Sequence, residues 1–234
     1  MKIGKRNIST EHKPFIIAEL SANHNQSLER ALELVKKAAE SGADAVKLQT
    51  YTADTMTFSI KSEEFMIRDE SSPWNGRHMY DLYDEAHTPW DWHKQIFDYA
   101  KELNLLAFSS PFDDTAVDFL ESLDVPAYKI ASFECIDTQL IKKVASTGKP
   151  MIISTGMANS DEIDDAVETA KIYGCTDLCL LKCTSTYPAS PKHANISSID
   201  AMRSKYKCEV GLSDHTLGVG VACAAISYGA SIIE

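Results

Sequence analysis

Residues 127–134 read AYKIASFE, a short apolar run that ends in polar and ionisable residues. The same pattern returns at intervals along the chain, in FIIAEL (15–20), AVKLQT (45–50), LLAFSSPF (105–112), PMIISTGM (150–157), LCLLKCTSTYP (178–188) and EVGLSDHT (209–216). The active site of a parallel β/α barrel lies where its strands end. Polar residues repeated at these points therefore predict a catalytic mouth.

Each apolar run predicts one strand, and helical patterns separate the runs. Residues 28–39 carry an apolar stripe at helical spacing, and Gly42 follows where a helix is expected to end. Alternation of strand and helix requires a parallel sheet, and eight such units favour a closed barrel. We therefore predict an α/β fold of the (β/α)8 TIM-barrel type. Its eighth strand begins at Ser231 and is cut off, so the barrel is expected to be incomplete at strand 8.

Two segments interrupt this alternation. Residues 1–13 precede the first strand and are predicted to form an N-terminal extension or hairpin, while residues 14–234 form the catalytic barrel. Residues 51–89 form one long connection, rich in acidic, methionine and aromatic residues, where β/α connections are usually short. An insertion of this length at the strand ends predicts a loop that covers a substrate.

Composition narrows the class of protein. A chain of 234 residues with 44% hydrophobic content is large enough for one domain with one large core. The formal net charge of -11 argues against nucleic acid or an anionic membrane as partners, because binding to phosphates needs a basic face. The N-terminus has no apolar signal core, so a cytoplasmic protein is expected. The six cysteines include no CxxC pair and are interpreted as reduced core residues.

Lysines and hydroxyl groups follow the predicted strands. Lys47 and Gln49 point to the same side of their strand, and Lys129 occupies the equivalent place on another strand. Two lysines facing into one mouth predict a phosphate or carboxylate site, with a solvated lysine on a buried stem as the alternative. Hydroxyl groups at the strand ends would complete an anion cradle or else cap helices and turns: Ser109, Ser110, Ser132, Ser154 and Thr155.

Three further ionisable residues at strand ends are candidates for catalysis. Glu19 and Glu134 each end a strand, where a carboxylate acts as general acid or base or orients a substrate. His215 follows the seventh strand, where an imidazole is a metal ligand, a proton carrier or a structural residue. These residues alone do not choose between the roles.

The ordered motifs IAELSANHNQ, VKLQTY, FSSPFD, YKIASFE, ISTGMA, KCTSTYP and GLSDHT resemble the sialic acid synthase family, over the chain from about Pro14 onward. That resemblance implies condensation of phosphoenolpyruvate with an amino sugar. It implies that His215 ligates a divalent metal, Mn²⁺ or Mg²⁺, and that Glu19 lies near the reacting centre. The sugar would contact Gln49, Glu134, Tyr187 and part of the insertion. The phosphoenolpyruvate cradle would consist of Lys47, Ser110, Lys129, Ser132, Ser154 and Ser185, although relatives often carry asparagine in place of Ser185.

The segment PWNGRHMYDLYDEAHTPWDWH (73–93) resembles one branch of that family, whose sugar is a 2,4-diacetamido-2,4,6-trideoxyhexose. Two alternatives stay open. One is a branch that makes N-acetylneuraminate or legionaminate, and the other is a barrel that binds a sugar or phosphoenolpyruvate without catalysis.

Family members continue past SIIE with a second metal histidine, a last helix and a small antifreeze-protein-like domain that lends an arginine to the partner in a homodimer. The resemblance therefore implies that the chain is a fragment. An open seam would leave the edges of the first and seventh strands partly unpaired and apolar surface uncovered at Ala222, Ala225 and Ile226. Such a fragment is expected to aggregate or melt early and to be catalytically silent.

Overall fold

The chain forms a closed barrel of eight parallel strands in the computed structural model, which describes residues 1–70, 72 and 74–234. The barrel strands follow one another in chain order, and the last pairs with the first. This order confirms the predicted (β/α)8 fold. An antiparallel hairpin of β1 (Lys2–Ile3) and β2 (Arg6–Asn7) precedes the barrel, whose strands are β3 (Phe15–Glu19), β4 (Ala45–Thr50), β5 (Leu106–Pro111), β6 (Tyr128–Ile130), β7 (Met151–Ser154), β8 (Leu178–Cys183), β9 (Glu209–Ser213) and β10 (Ile232–Ile233).

Helices connect consecutive strands of the barrel. Side-chain caps fix several of their starts, as where the Ser27 hydroxyl accepts a hydrogen bond from the Arg30 N–H at 3.2 Å. The α-helices of the described residues are α1 (Leu28–Glu40), α2 (Ala53–Met56), α3 (Met79–Ala86), α4 (Trp90–Glu102), α5 (Asp114–Ser122), α6 (Thr138–Ala145), α7 (Ser160–Ile172), α8 (Ser198–Tyr206) and α9 (Gly220–Ser227). Within this described part of the chain, no helix has the length and apolarity needed to cross a bilayer.

The eighth strand is short, yet it closes the barrel. β10 pairs with β3 on one side and with β9 on the other, and the Glu234 N–H continues the second ladder to the Leu212 carbonyl at 2.9 Å. This close approach depends on Gly211, because a Cβ there would lie 2.3 Å from the carbonyl oxygen of Ile232. The expected open seam is therefore wrong, because this two-residue strand pairs with both neighbouring strands.

Helix α9 covers part of the surface that was expected to be bare. Ala225 is buried in a small apolar cluster with residues of α8, β9 and β10, and Ala222 is partly buried against that cluster. Ile226 keeps 42% of its surface exposed. The expectation is thus wrong for Ala225, because the closed seam gives that residue a packing partner, and it is confirmed for Ile226.

The N-terminal hairpin shares the core of the barrel. Ile3 and Ile8 are almost completely buried, in the same apolar cluster as Phe15 of β3 and Phe108 of β5. The turn between β1 and β2 passes through Gly4 at φ +55°, a conformation that glycine adopts without strain. Division of the chain at residue 13 stays a prediction.

A buried histidine ties α4 to the outside of the barrel. The ring of His93 shares a 2.8 Å hydrogen bond with the Thr50 hydroxyl, which in turn lies 2.6 Å from the Ser109 hydroxyl. Ser109 therefore faces the helices, not the barrel axis. Burial lowers the pKa of His93 to about 4, so the ring stays neutral in the folded protein near pH 7.

We expect His93 to make stability fall as the pH drops. Its pKa is about 4 when folded and about 6.5 when unfolded, so between these values the unfolded chain binds the extra proton. The stabilisation is complete above pH 6.5, and about 2 kcal/mol of it is lost by pH 5. Urea melts at pH 7 and pH 5 should show a larger loss for the wild type than for His93→Phe. An exposed control, His12→Ala, should behave like the wild type, whereas equal losses for all three proteins would contradict the expectation.

Candidate active site

A pocket of about 410 Å³ opens where the barrel strands end. Side chains alternate between the two faces of a strand, so Lys47 and Gln49 of β4 both reach this pocket while Leu48 between them is buried elsewhere. Its lining brings together most of the residues that the sequence placed at the mouth: Glu19, Lys47, Gln49, Lys129, Ser132, Glu134, Ser154, Tyr187 and His215.

Two lysines and two carboxylates alternate in the pocket. Lys47 lies 2.5 Å from Glu19 and 3.8 Å from Glu234, and Lys129 lies 3.3 Å from Glu234 (all Nζ to carboxylate oxygen). Both lysine side chains are only 3% exposed, so they are not solvated surface groups. Burial alone would lower the pKa of Lys47, but the charges of Glu19 and Glu234 outweigh it and raise that pKa. The lysine therefore stays charged.

Glu234 was missed at the sequence level and lies between the two lysines. Its side chain is 5% exposed, and its Oε2 accepts a hydrogen bond from the Ser213 hydroxyl at 3.0 Å. Burial favours the neutral acid, but Lys129 and Lys47 lower the pKa of Glu234 below its ordinary value. Glu234 ends the run SIIE, as Glu19 ends the run FIIAE, so the pattern that marked Glu19 could have marked it too.

Hydroxyl groups surround the lysines. The Lys47 Nζ donates to the Ser110 hydroxyl at 3.5 Å, and the Gly156 N–H donates to the Ser132 hydroxyl at 3.2 Å. Ser154 is 2% exposed, and its hydroxyl has no hydrogen-bond partner among the described residues. Because a buried unpaired hydroxyl costs free energy, this hydroxyl is available to hydrogen-bond to water or to a ligand in the pocket.

Two of the expected cradle hydroxyls point elsewhere. Ser109 bonds to Thr50 on the outer face of the barrel, and the Thr155 hydroxyl donates to the Leu181 carbonyl at 3.1 Å. Ser185 does adjoin the pocket, since its hydroxyl lies 3.8 Å from the Cys183 sulfur. The prediction that Ser109 and Thr155 serve the anion is wrong, because neighbouring residues of a strand face opposite sides.

Gly156 leaves room for this cradle. A Cβ at this position would lie 2.1 Å from the Ser185 hydroxyl and 2.7 Å from that of Ser132. We expect Gly156→Ala to displace both hydroxyls and, for the phosphoenolpyruvate that the sequence resemblance implies as ligand, to weaken binding about tenfold, the loss of roughly one hydrogen bond. Calorimetric titration measures the effect. Gly220→Ala, where a Cβ would meet nothing within 4 Å, is the matched control, and equal affinities for the two variants would contradict the prediction.

His215 follows β9 and presents one nitrogen to the pocket. Its Nδ1–H donates to the Thr184 carbonyl at 2.9 Å, which is shorter than its 4.0 Å contact with the Cys183 sulfur. The Tyr187 ring lies against the imidazole, with centroids 4.2 Å apart. This arrangement leaves the Nε2 lone pair free in the neutral ring, as a metal ligand requires. Burial alone would lower the pKa of His215, but the contacts with Cys183 and Thr184 outweigh burial and raise it. A cation would therefore compete with a proton for the Nε2 of His215.

Glu134 lines the same pocket from the one-turn helix Phe133–Ile136, which follows β6, the strand that carries Lys129. Burial raises the pKa of Glu134, and its Oε2 has no hydrogen-bond partner in the described part of the chain. A carboxyl group with a raised pKa holds a proton at higher pH than a free glutamic acid does. Glu134 is therefore suited to donate a proton to a bound substrate.

Aromatic residues to which the sequence analysis gave no role line the pocket on the side of the insertion. Tyr51 stands edge-on to Tyr83 of α3 at 6.0 Å and to Phe112 at 5.5 Å between ring centroids. No strand-end pattern marks Tyr83, because it comes from the insertion. The insertion thus contributes directly to the pocket. Pro73, the first residue of the segment 73–93 that carries the family resemblance, lies outside the described residues.

The fold and this pocket define a class: a β/α-barrel protein whose strand ends hold two buried lysines beside carboxylates and a histidine. The model of the NeuB family matches residues 34–234, and the chain belongs to that family. It is 46% identical over 234 residues to a pseudaminic acid synthase of Campylobacter jejuni, with all of this chain and 67% of the relative covered. An N,N'-diacetyllegionaminic acid synthase of Legionella pneumophila is 39% identical over 227 residues, covering 94% of this chain and 62% of the relative.

A solved structure agrees with this assignment. The N-acetylneuraminic acid synthetase of Leptospira borgpetersenii in complex with citrate superposes with a TM-score of 0.88 at 30% identity, over 100% of this chain and 76% of the other. The chain spans about two thirds of the length of the curated relatives it matches.

Proposed function

We propose that the chain is the catalytic barrel of a nonulosonic acid synthase. In this proposal, phosphoenolpyruvate condenses with 2,4-diacetamido-2,4,6-trideoxy-L-altrose to give pseudaminic acid and phosphate. The observation that carries the proposal is the pair of buried lysines, Lys47 and Lys129, beside the unpaired hydroxyl of Ser154. Membership of the NeuB family and the identity to a pseudaminic acid synthase support it.

The reaction needs an anion site and three proton transfers. C3 of phosphoenolpyruvate attacks the aldehyde carbon of the open-chain sugar, and the aldehyde oxygen takes up a proton. Water then adds to C2 and loses a proton. The resulting tetrahedral intermediate expels phosphate by cleavage of the bond between C2 and the phosphate oxygen, and the proton of the new C2 hydroxyl passes to the leaving phosphate. The net products are the ketoacid and inorganic phosphate, so no oxidant or reductant is required.

The residues of the pocket match these needs. Lys47 and Lys129 offset the charges of the donor's carboxylate and phosphate, which an acidic protein would otherwise repel. Glu134, whose pKa burial raises, supplies the proton to the aldehyde oxygen. Glu19, whose side chain is 36% exposed beside Lys47, takes the proton of the attacking water.

A divalent cation fits the same pocket. No group of three histidine, cysteine or acidic residues surrounds a metal position in the described part of the chain. However, the free Nε2 of His215 and the Oε1 of Glu234, which accepts no hydrogen bond from the described residues, are the kinds of nitrogen and oxygen donor that Mn²⁺ and Mg²⁺ accept. When bound, such an ion would polarise the aldehyde and stabilise negative charge on its oxygen.

The sugar decides between this proposal and the other branches of the family. The full-length protein is expected to release phosphate from phosphoenolpyruvate at least tenfold faster with the diacetamido-trideoxy-altrose than with N-acetylmannosamine. Tyr51, Leu82 and Tyr83 line the space that the sugar would enter. The extra hydroxyls of N-acetylmannosamine would find few hydrogen-bond partners there, and unpaired polar groups make binding less favourable. A malachite-green phosphate assay makes the comparison.

Each other outcome of that assay identifies an alternative. Equal or faster turnover of N-acetylmannosamine would favour an N-acetylneuraminate synthase, and preference for the corresponding mannose derivative would favour a legionaminate synthase. Binding of phosphoenolpyruvate and sugar without any phosphate release would favour a non-catalytic binding barrel.

A further inference from the structure

Cys183 ends β8 inside the catalytic pocket and has no part in the proposed reaction. Of the six cysteines, all of them within the described part of the chain, it is the one that lines this pocket. The residue is only 2% exposed, so a reagent reaches its sulfur by entering the pocket. The pocket therefore holds a strong nucleophile that the bulk solvent does not contact freely.

Polar groups of the pocket surround the sulfur. The Ser132 hydroxyl donates to the Cys183 Sγ at 3.4 Å, and the Ser185 hydroxyl lies 3.8 Å from it. A Cβ at Gly156 would lie 3.0 Å from the same sulfur. Because glycine has no side chain, that side of the sulfur is not covered by residue 156.

Strand register places Cys183 near the charged groups of the pocket. Cys183 pairs with Ser213 of β9, and both residues line the pocket, so their backbones lie roughly 5 Å apart and their side chains point the same way. The Ser213 hydroxyl donates to Glu234 at 3.0 Å, and Glu234 lies 3.3 Å from the Lys129 ammonium. The thiol and this lysine are thus two side chains apart in one pocket.

A small carboxylate finds binding partners beside the thiol. Lys47 and Lys129, whose side chains are buried, supply positive charge. The hydroxyl of Ser154, 2% exposed and without a hydrogen-bond partner among the described residues, is available in the same pocket. Buried cations attract an anionic reagent and do nothing for an uncharged one. The pocket should therefore concentrate anionic electrophiles next to Cys183.

We propose that Cys183 is a covalent modification site for electrophilic α-keto acids, the class that bromopyruvate represents. The carboxylate of the reagent binds beside the two lysines, and the sulfur attacks its CH₂ carbon. A C–S bond forms as the C–Br bond breaks; bromide leaves with the bonding electron pair, and the thiol proton passes to solvent. The thioether then fills the pocket. This inference rests on the proposed function in one respect, that phosphoenolpyruvate is the ligand excluded.

Cys223 provides an internal control in the same molecule. It is exposed on α9 and lies outside the lining of the catalytic pocket, so a reagent in solution meets it without guidance. The ratio of the alkylation rates at Cys183 and Cys223 therefore measures guidance by the pocket. Taking this ratio cancels the different intrinsic reactivities of two reagents.

The test compares bromopyruvate with the uncharged bromoacetone on the full-length protein. Peptide mass spectrometry gives the rate of alkylation at each cysteine. The ratio of the Cys183 rate to the Cys223 rate should be at least tenfold higher for bromopyruvate, as expected for one charge-assisted contact. Saturating phosphoenolpyruvate should slow alkylation of Cys183 at least tenfold and leave that of Cys223 unchanged. Equal ratios for the two reagents would overturn the inference.

Two variants assign the effect to the sulfur. After treatment with bromopyruvate, Cys183→Ser is expected to keep its own affinity for phosphoenolpyruvate in calorimetric titration, whereas the wild type and the matched control Cys223→Ser lose theirs. Loss of affinity in treated Cys183→Ser, or an adduct on a lysine or on His215 in place of Cys183, would contradict the assignment. If the serine variant does not melt cooperatively, peptide mapping of the wild type decides the question alone.

Failure of the proposed function gives a different result. If the untreated wild type does not bind phosphoenolpyruvate, the donor site is wrong. A ratio at least tenfold higher for bromopyruvate than for bromoacetone would then still support Cys183 as the modification site, and equal ratios would overturn it.

Discussion

Lys129→Met in the full-length protein is expected to weaken phosphoenolpyruvate binding by about ten-fold to over a hundred-fold, and Lys47→Met by a similar factor. Each lysine is buried in the pocket, and a charge-assisted hydrogen bond to an anion contributes about 1.5 to 3 kcal/mol. Calorimetric titration of each variant with phosphoenolpyruvate measures the loss directly.

The same substitutions should also lower stability, because each removes one of the two cations beside the buried carboxylate of Glu234. Lys47 contacts Glu19 and Glu234, and Lys129 contacts Glu234. Removing one partner of a buried ion pair costs about 3 to 5 kcal/mol, so each variant must be titrated below its own melting temperature. Adding Glu234→Gln to Lys129→Met should restore part of the stability but none of the affinity.

Lys182 offers a matched control for the two lysines. It is half-buried on β8 but donates to the Cys183 carbonyl and the Thr184 hydroxyl, outside the lining of the pocket. Lys182→Met should therefore leave the affinity for phosphoenolpyruvate unchanged. Wild-type dissociation constants in both Lys47→Met and Lys129→Met would remove the basis of the proposed anion site.

His215→Ala is expected to abolish activity at limiting Mn²⁺ while leaving the fold intact. Losing one ligand mostly empties a weak divalent site, and the Nε2 of His215 is free to be that ligand. Binding of Mn²⁺ itself, followed by electron paramagnetic resonance of the free ion, gives a second readout that does not depend on turnover. Affinity for Mn²⁺ should fall at least tenfold in the variant.

His193→Ala separates this role from a general effect of removing a nearby histidine. Its ring is exposed, and only its backbone carbonyl contacts Thr184. That variant should bind Mn²⁺ like the wild type. If His215→Ala also kept wild-type activity and Mn²⁺ affinity, His215 would have a structural role only.

Much of the architecture was readable from local patterns. Apolar runs of strand length and stripes at helical spacing predicted the barrel strands and most helices, because each pattern reflects which face of one element is buried. Alternation along β4 likewise placed Lys47 and Gln49 on one side, and the structure brings both to the pocket. Applied to the neighbours Ser109 and Ser110, the same rule would have kept Ser109 out of the predicted anion cradle.

The sequence by itself determined the elements, their order and the inward register of the lysines, since these depend on neighbours a few residues apart. Only the tertiary structure decided that β10 closes the barrel, that Glu234 lies between Lys47 and Lys129, and that the insertion and the loop after β3 enclose a second cavity. Ion pairs and cavities depend on distances between segments far apart in the chain. The distances between such segments are fixed only when β3, near the start of the chain, pairs with β10, at its end, in one closed sheet.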